Sequence, residues 1–229
     1  MNAAKNLPGG EMSSRTLDFF WIADCSGSMD GEKIQTLNYA IRQTIPDMRK
    51  EADANPNARL LVRAVKFSDG ASWHIASATP VESFNWTDLS AGGVTSMGKA
   101  LELVVDELNQ FPPDTKRLPP VLVLLTDGQP TDEYKKGLDS LLDTPWGKKS
   151  VRIAIAIGKD ADLTVLEQFT GNRELVLEAK NPQLLIRFIK WASTVVKTVS
   201  SPKADSGNIF TGVDVNTIPS LSDDDDDIW

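Results

Sequence analysis

Residues 17–28, LDFFWIADCSGS, decide the reading of this chain. Leu17–Ala23 is an apolar run with an aromatic bias, the pattern of a strand buried on both faces. It runs directly into Asp24-Cys25-Ser26-Gly27-Ser28, a loop of carboxylate, hydroxyls and glycine. A second buried strand, Val121–Thr126 (VLVLLT), ends the same way, in Thr126-Asp127-Gly128. Between them, Gly92-Gly93-Val94-Thr95-Ser96 opens a helix with glycines and hydroxyls.

Outward from these strands, helix-like and strand-like segments alternate. Residues 31–54 carry apolar residues at helical spacing, with Pro46 inside predicting a kink or an early break. Arg59–Phe67 and Ala71–Ala76, joined by Ser68-Asp69-Gly70, read as a hairpin. Helices are expected over 95–111, 133–142, 162–169 and 182–199, and strands over 151–157 and 174–177. Such alternation points to an α/β three-layer sandwich around a mainly parallel sheet, with the hairpin supplying one antiparallel edge strand. In open α/β sheets, sites lie beyond the carboxyl ends of the strands, where the strand order reverses. The loops beginning at Asp24 and Asp127 are therefore the ones to inspect.

Five oxygen-bearing side chains, Asp24, Ser26, Ser28, Thr95 and Asp127, are positioned to converge. Oxygen-only ligation suits a hard cation such as Mg²⁺, with Mn²⁺ or Ca²⁺ as alternatives. Taken singly, the same residues would also serve as helix caps and turn formers.

D-x-S-x-S after the first strand, Thr95 in a glycine-led helix entry, and T-D-G after a buried strand together resemble the von Willebrand factor A (VWA) family. The resemblance covers about residues 16–200. It implies a Rossmann-like fold and a metal-ion-dependent adhesion site at those five positions. Val94 stands between the glycine pair and Thr95, which leaves Thr95 and the adjacent Ser96 for the threonine role. Leu124–Asp132 (LLTDGQPTD) and Gly93–Leu101 (GVTSMGKAL) look closest to the bacterial TerY-like group. That group accompanies tellurite and chemical-stress resistance, commonly beside a protein kinase and a phosphatase. The resemblance implies a protein-binding adaptor without catalytic activity, whose metal takes an Asp or Glu from a partner. The competing reading is a phosphoryl-transfer enzyme using Asp24 as nucleophile, although Ser26 stands where that chemistry normally wants a second Asp.

Composition narrows the field further. The 229 residues hold 24 Lys and Arg against 32 Asp and Glu, a net charge of −8. Seven of those acids, Asp205, Asp214 and Asp223–Asp227, fall in residues 204–229, which carry no Lys or Arg. Residues 1–203 are therefore nearly neutral, with 25 acids and 24 bases. Direct nucleic-acid binding and a polybasic membrane anchor both want a basic surplus and are not expected. There is no apolar stretch of 18 residues and no secretory leader pattern at Met1–Thr16, so a cytoplasmic protein is expected. The single cysteine, Cys25, excludes internal disulfides and multi-cysteine zinc sites. Without a base beside it, and with His74 as the sole histidine, it reads as a quiet thiol.

The expected organisation is a flexible N-terminus (1–15), a VWA domain (16–200) and a disordered acidic tail (201–229). The tail's ending, Asp223–Trp229, resembles a short linear motif for a basic-rimmed pocket, and a tail Asp is a candidate for the metal of its own or another copy. Thr211–Asp214 would suit a phosphothreonine reader. Asp30, Asp69 and Asp132 lie in loops near the proposed site and are expected as solvated turn residues, with support of the metal ligands as the alternative; Lys148, Lys149 and Arg152 are expected as a solvated strand start. Trp21 and Trp191 are expected in the core, while Trp73, Trp86 and Trp146 fall on an edge strand or in loops.

Overall fold

The computed structural model describes residues 15–55, 58–112, 116–199, 213 and 215–219. Six strands form one sheet in the order β3-β2-β1-β4-β5-β6: β1 (Arg15–Asp24), β2 (Ala58–Phe67), β3 (Ala71–Pro80), β4 (Val121–Thr126), β5 (Val151–Ile157) and β6 (Val176–Ala179). All neighbours are parallel except β2 and β3, the hairpin at the edge. This is the expected α/β architecture, with its one antiparallel edge strand.

Side chains alternate across β1 and feed two cores. Leu17, Phe19, Trp21 and Ala23 face α1 (Glu32–Asp53) and α6 (Pro182–Val199). Phe20 and Ile22 face α2 (Met97–Asn109), α3 (Tyr134–Asp143) and α5 (Leu163–Thr170). Burial on both faces explains why β1, β4 and β5 read as near-continuous apolar runs, interrupted only by Asp18 and Arg152, rather than alternating ones. The single-turn helix α4 (Pro145–Lys149) was not expected; Thr144 caps it by accepting the Gly147 N–H at 2.9 Å.

α1 runs through Pro46 instead of breaking. Pro46 and Arg42 are both exposed, so the Arg42 carbonyl that loses its helical partner is on the side of the helix that water can reach. α2 and α3 approach closely at two glycines. A Cβ on Gly137 would stand 2.6 Å from the Gly98 carbonyl oxygen, and one on Gly98 would stand 2.9 Å from that of Glu133.

The stretch expected as a disordered tail is partly packed on the domain. Val213 is buried, Val215 and Ile218 rest against the α1/α6 core, and Trp191 Nε1 donates to Thr217 Oγ1 at 3.0 Å. Composition counted the acids of this stretch and overlooked its spaced apolar residues, which find the flank of α6. The segments 1–14 and 220–229, including Asp223–Trp229, lie outside the described residues, as does most of Thr211–Asp214. Among the described residues, no helix is long and apolar enough to cross a membrane.

β1 sits between β2 and β4. The chain therefore leaves β1 toward one side of the sheet and, after β3 and α2, returns to the other. Strand order reverses between β1 and β4, and their carboxyl ends, Asp24 and Thr126, open a crevice there.

Candidate metal centre

Asp24 closes β1 with a side chain fully shielded from solvent. Its Oδ1 accepts the Ser26 N–H at 2.8 Å, which bends the chain into the loop. Its Oδ2 accepts the hydroxyl of Thr126, the last residue of β4, at 2.5 Å. One carboxylate thus ties together both strand ends at the crevice. Burial pushes the Asp24 carboxyl above its ordinary value; the bonds from Thr126 and Ser26 oppose that shift, and the charge of Asp127 adds to it.

The hydroxyls follow in a chain. Ser26 Oγ lies 3.1 Å from Ser28 Oγ, and Ser28 donates to Asp127 Oδ1 at 2.7 Å. With its proton held by Asp127, Ser28 has lone pairs left to face a cation. The other oxygen of Asp127 accepts from Lys33 Nζ at 2.6 Å. Asp127 itself is fully buried.

The loop carrying Thr95 is laced to the first loop through backbone bonds. Gly27 N–H donates to the Gly93 carbonyl and Gly92 N–H to the Cys25 carbonyl, each at 2.9 Å. Gly93 has φ of +82°, and a Cβ there would come within 2.5 Å of Asp69 Oδ1. Only glycine fits this turn. Thr95 is buried, and its Oγ1 lies 3.4 Å from where a Cβ of Gly128 would be, with Ser28 Oγ at 3.9 Å from the same point. Thr95 and Ser28 therefore flank one small space beside Gly128. Ser96 takes the residue before α2, with its N–H on the Ser68 carbonyl.

Two of the loop acids near the site, exposed Asp69 and half-buried Asp132, take the supporting role and hold this loop. Asp69 Oδ1 accepts the Val94 N–H at 3.0 Å. Asp132 accepts the Gly98 and Lys99 N–H groups, each at 2.9 Å, capping α2 from another loop. Thr131 adds a reciprocal pair with Thr95: its Oγ1 accepts the Thr95 N–H at 3.2 Å, and its own N–H donates to the Thr95 carbonyl at 2.9 Å.

Further back, buried Asn38 of α1 anchors the segment leading to Gly92. Its Oδ1 accepts from Trp86 Nε1 and from the Leu89 N–H, and its Nδ2 donates to the Leu89 carbonyl, all at 2.9 Å. Trp86 is thereby a core residue. Arg152, expected as solvated, is buried and donates to the Phe169 and Gly147 carbonyls. Lys33, Thr131 and Asn38 went unnoticed in the sequence because their partners lie 36 to 94 positions away.

Cys25 has no base beside it, since the sole histidine, His74, is bonded elsewhere. Cys25 is buried, its Sγ donates to the Phe67 carbonyl at 3.3 Å, and burial raises its thiol above the ordinary value. The His74 ring lies against Trp86, with Nε2 bonded to the Thr87 carbonyl at 2.8 Å; burial pushes its imidazole below the usual value.

The donor chemistry fits a hard divalent cation: two carboxylates and three hydroxyls at one crevice, all oxygen. Among the described residues, no group of three His, Cys, Asp or Glu side chains is placed to hold a metal. A cation here would accordingly lean on the hydroxyls. A positively charged group, the Lys33 ammonium, already contacts Asp127.

Residues 18–190 match the von Willebrand factor type A domain. Solved structures with the same fold include a von Willebrand factor type A protein from Catenulispora acidiphila, 17% identical over 81% of this chain, with a TM-score of 0.57. Proximal thread matrix protein 1 from the mussel byssus is 18% identical over 81%, with a TM-score of 0.61. The match spans 43% and 49% of those two chains, so this chain corresponds to less than half of each. The byssus protein has also been solved with a zinc-occupied MIDAS motif, at a TM-score of 0.54, 18% identity and coverage of 80% of this chain and 46% of that one. Comparison with curated protein sequences returned no match. With the family model spanning 173 consecutive residues, 18–190, the chain belongs to the von Willebrand factor type A domain family.

Proposed function

We propose that this VWA domain is a metal-dependent protein-binding adaptor. Asp24, Ser26, Ser28 and Thr95 hold a divalent cation, Mg²⁺ in the first instance with Mn²⁺ or Ca²⁺ as alternatives, and Asp127 supports it directly or through water. The observation that carries this reading is the meeting of three separate loops at the reversal of strand order. They contribute only oxygen donors, and both carboxylates are buried. The zinc-occupied MIDAS motif of the mussel byssus protein supports the same use of the site.

The cation supplies one thing when bound: an electrophilic coordination position that an Asp or Glu of a partner protein fills. The chain's own residues orient the donors, bury their charge and leave the crevice rim open to a partner. No catalytic role is proposed for them. The phosphatase-like alternative asks Asp24 for in-line attack, whereas both of its oxygens are held by Ser26 and Thr126.

The partner is a protein, and an associated kinase and phosphatase system is the favoured setting. The likeness of Leu124–Asp132 and Gly93–Leu101 to TerY-like sequences supports a role in a bacterial stress-resistance or defence system in the cytoplasm. Asp223–Trp229 offers a second contact, for a basic-rimmed pocket.

The test is capture of interacting proteins by the full chain in Mg²⁺ and in excess EDTA, with Asp24→Asn and Thr95→Ala beside the wild type. Capture should require both the metal and the two side chains. Capture that persists in EDTA or in both variants would overturn the metal-docking function.

A further inference from the structure

Lys33 is the one cation in direct contact with the five-residue cluster among the described residues, and it comes from an element the cluster does not otherwise use. It stands in the first turn of α1. Its stem passes over the carboxyl ends of β4 and β5, and a Cβ on Gly158 would lie 3.4 Å from both its Cε and its Nζ. Its ammonium ends 2.6 Å from Asp127 Oδ2, with the side chain only 16% exposed and that of Asp127 fully shielded. Among the described residues no cation pairs with Asp24, whose oxygens are bonded to Ser26 and Thr126. With both carboxylates ionised, as holding a cation requires, the site carries two buried negative charges and one positive charge, a sum of −1.

That sum has consequences for metal and partner alike. A divalent cation brings a site of −1 to +1. A single carboxylate from outside then brings it to zero. Without Lys33 the site would be −2, the metal alone would neutralise it, and an incoming carboxylate would gain little. Charges within a few ångströms in a partly shielded crevice interact strongly enough for these differences to count. Lys33 also occupies the Asp127 oxygen that is not taken by Ser28, which disposes Asp127 to support the cation through water or through Ser28.

We infer that Lys33 is a positioning residue that trades metal affinity for carboxylate affinity. It weakens the hold on the cation, and it keeps the loaded site positively charged so that an acidic group on a partner is needed to complete it. This inference rests on the metal-binding function proposed above. It makes the metal and the partner's carboxylate bind cooperatively, because each offsets charge that the other leaves.

The experiment measures Mn²⁺ dissociation constants by electron paramagnetic resonance on the full chain, for wild type, Lys33→Met, Lys33→Arg and Asp24→Asn. Each Mn²⁺-loaded protein is then titrated with a blocked Gly-Asp-Gly peptide, with Gly-Asn-Gly as control. Lys33→Met should bind Mn²⁺ at least tenfold more tightly than wild type and the Asp peptide at least tenfold more weakly. Lys33→Arg, which keeps the charge, should stay within about threefold of wild type in both. A merely structural lysine would not raise metal affinity when removed. Equal or weaker Mn²⁺ binding in Lys33→Met, or Asp-peptide binding unchanged by it, would overturn the inference. The metal reading fails separately, and takes this inference with it, if wild type binds no Mn²⁺ or binds it no better than Asp24→Asn.

Discussion

In an Asp24→Asn variant the side chain keeps its shape and loses the charge that a cation needs. The amide oxygen can still accept the Ser26 N–H. The amide nitrogen donates to Thr126 Oγ1, a hydroxyl able to turn and accept. Two charge-assisted hydrogen bonds become neutral ones, at a cost of about 1 kcal/mol together. Against this, the variant no longer ionises a carboxyl whose charge burial disfavours. In EDTA its stability should therefore lie within about 1 kcal/mol of wild type. In metal the two should diverge. At a free Mg²⁺ concentration 100 times its dissociation constant, the wild type gains about 2.7 kcal/mol, and the variant gains nothing. For a chain of this size that gain is a rise in Tm of about 5–10 °C. Thermal unfolding followed by circular dichroism, with and without Mg²⁺, reads both quantities. An equal metal-induced rise in the variant would refute the role of Asp24 as a ligand. A variant unfolded in EDTA would refute the claim that its charge serves the metal rather than the fold.

Other perturbations test the scaffold around the site. Asn38→Ala strands three buried partners, the Trp86 and Leu89 N–H groups and the Leu89 carbonyl, and should cost about 2–4 kcal/mol in chemical denaturation. Gly137→Ala should lower stability by about 1–3 kcal/mol despite alanine's better helix propensity, because its methyl meets the Gly98 carbonyl; a stabilised variant would refute that close approach. Asp132→Ala removes the acceptor for two N–H groups of α2 and should cost about 0.5–2 kcal/mol in urea unfolding. Cys25 should react with a thiol reagent only as fast as the protein opens, giving full labelling in denaturant and slow labelling without it.

What the sequence revealed was what short-range pattern encodes. β4 and β5 begin and end where their apolar runs do, and α6 spans the stretch from Pro182 to Val199 that its periodicity marked. The Asp24, Thr95 and Asp127 motifs were visible because strand, loop and helix entry follow one another locally. Pairings across the fold were hidden. Nothing in the local sequence separates Asp69 and Asp132 from ordinary turn acids; their binding of the Val94, Gly98 and Lys99 N–H groups is made across the fold. Nothing local marks Lys33, since its nearness to Asp127 depends on where the start of α1 meets the end of β4. The packing of Val213 and Ile218 was masked by the surrounding acids, because net composition averages over the spacing that matters for docking. α4 is too short for periodicity to register, and its cue is the Thr144-Pro145 start alone.

Anomalous diffraction from crystals grown in Mn²⁺ would show whether a divalent cation sits among Asp24, Ser26, Ser28, Thr95 and Asp127. A peak within coordination distance of the Ser26 and Ser28 hydroxyls is the predicted result. A peak elsewhere, or none at that crevice with Mn²⁺ in excess, would contradict it.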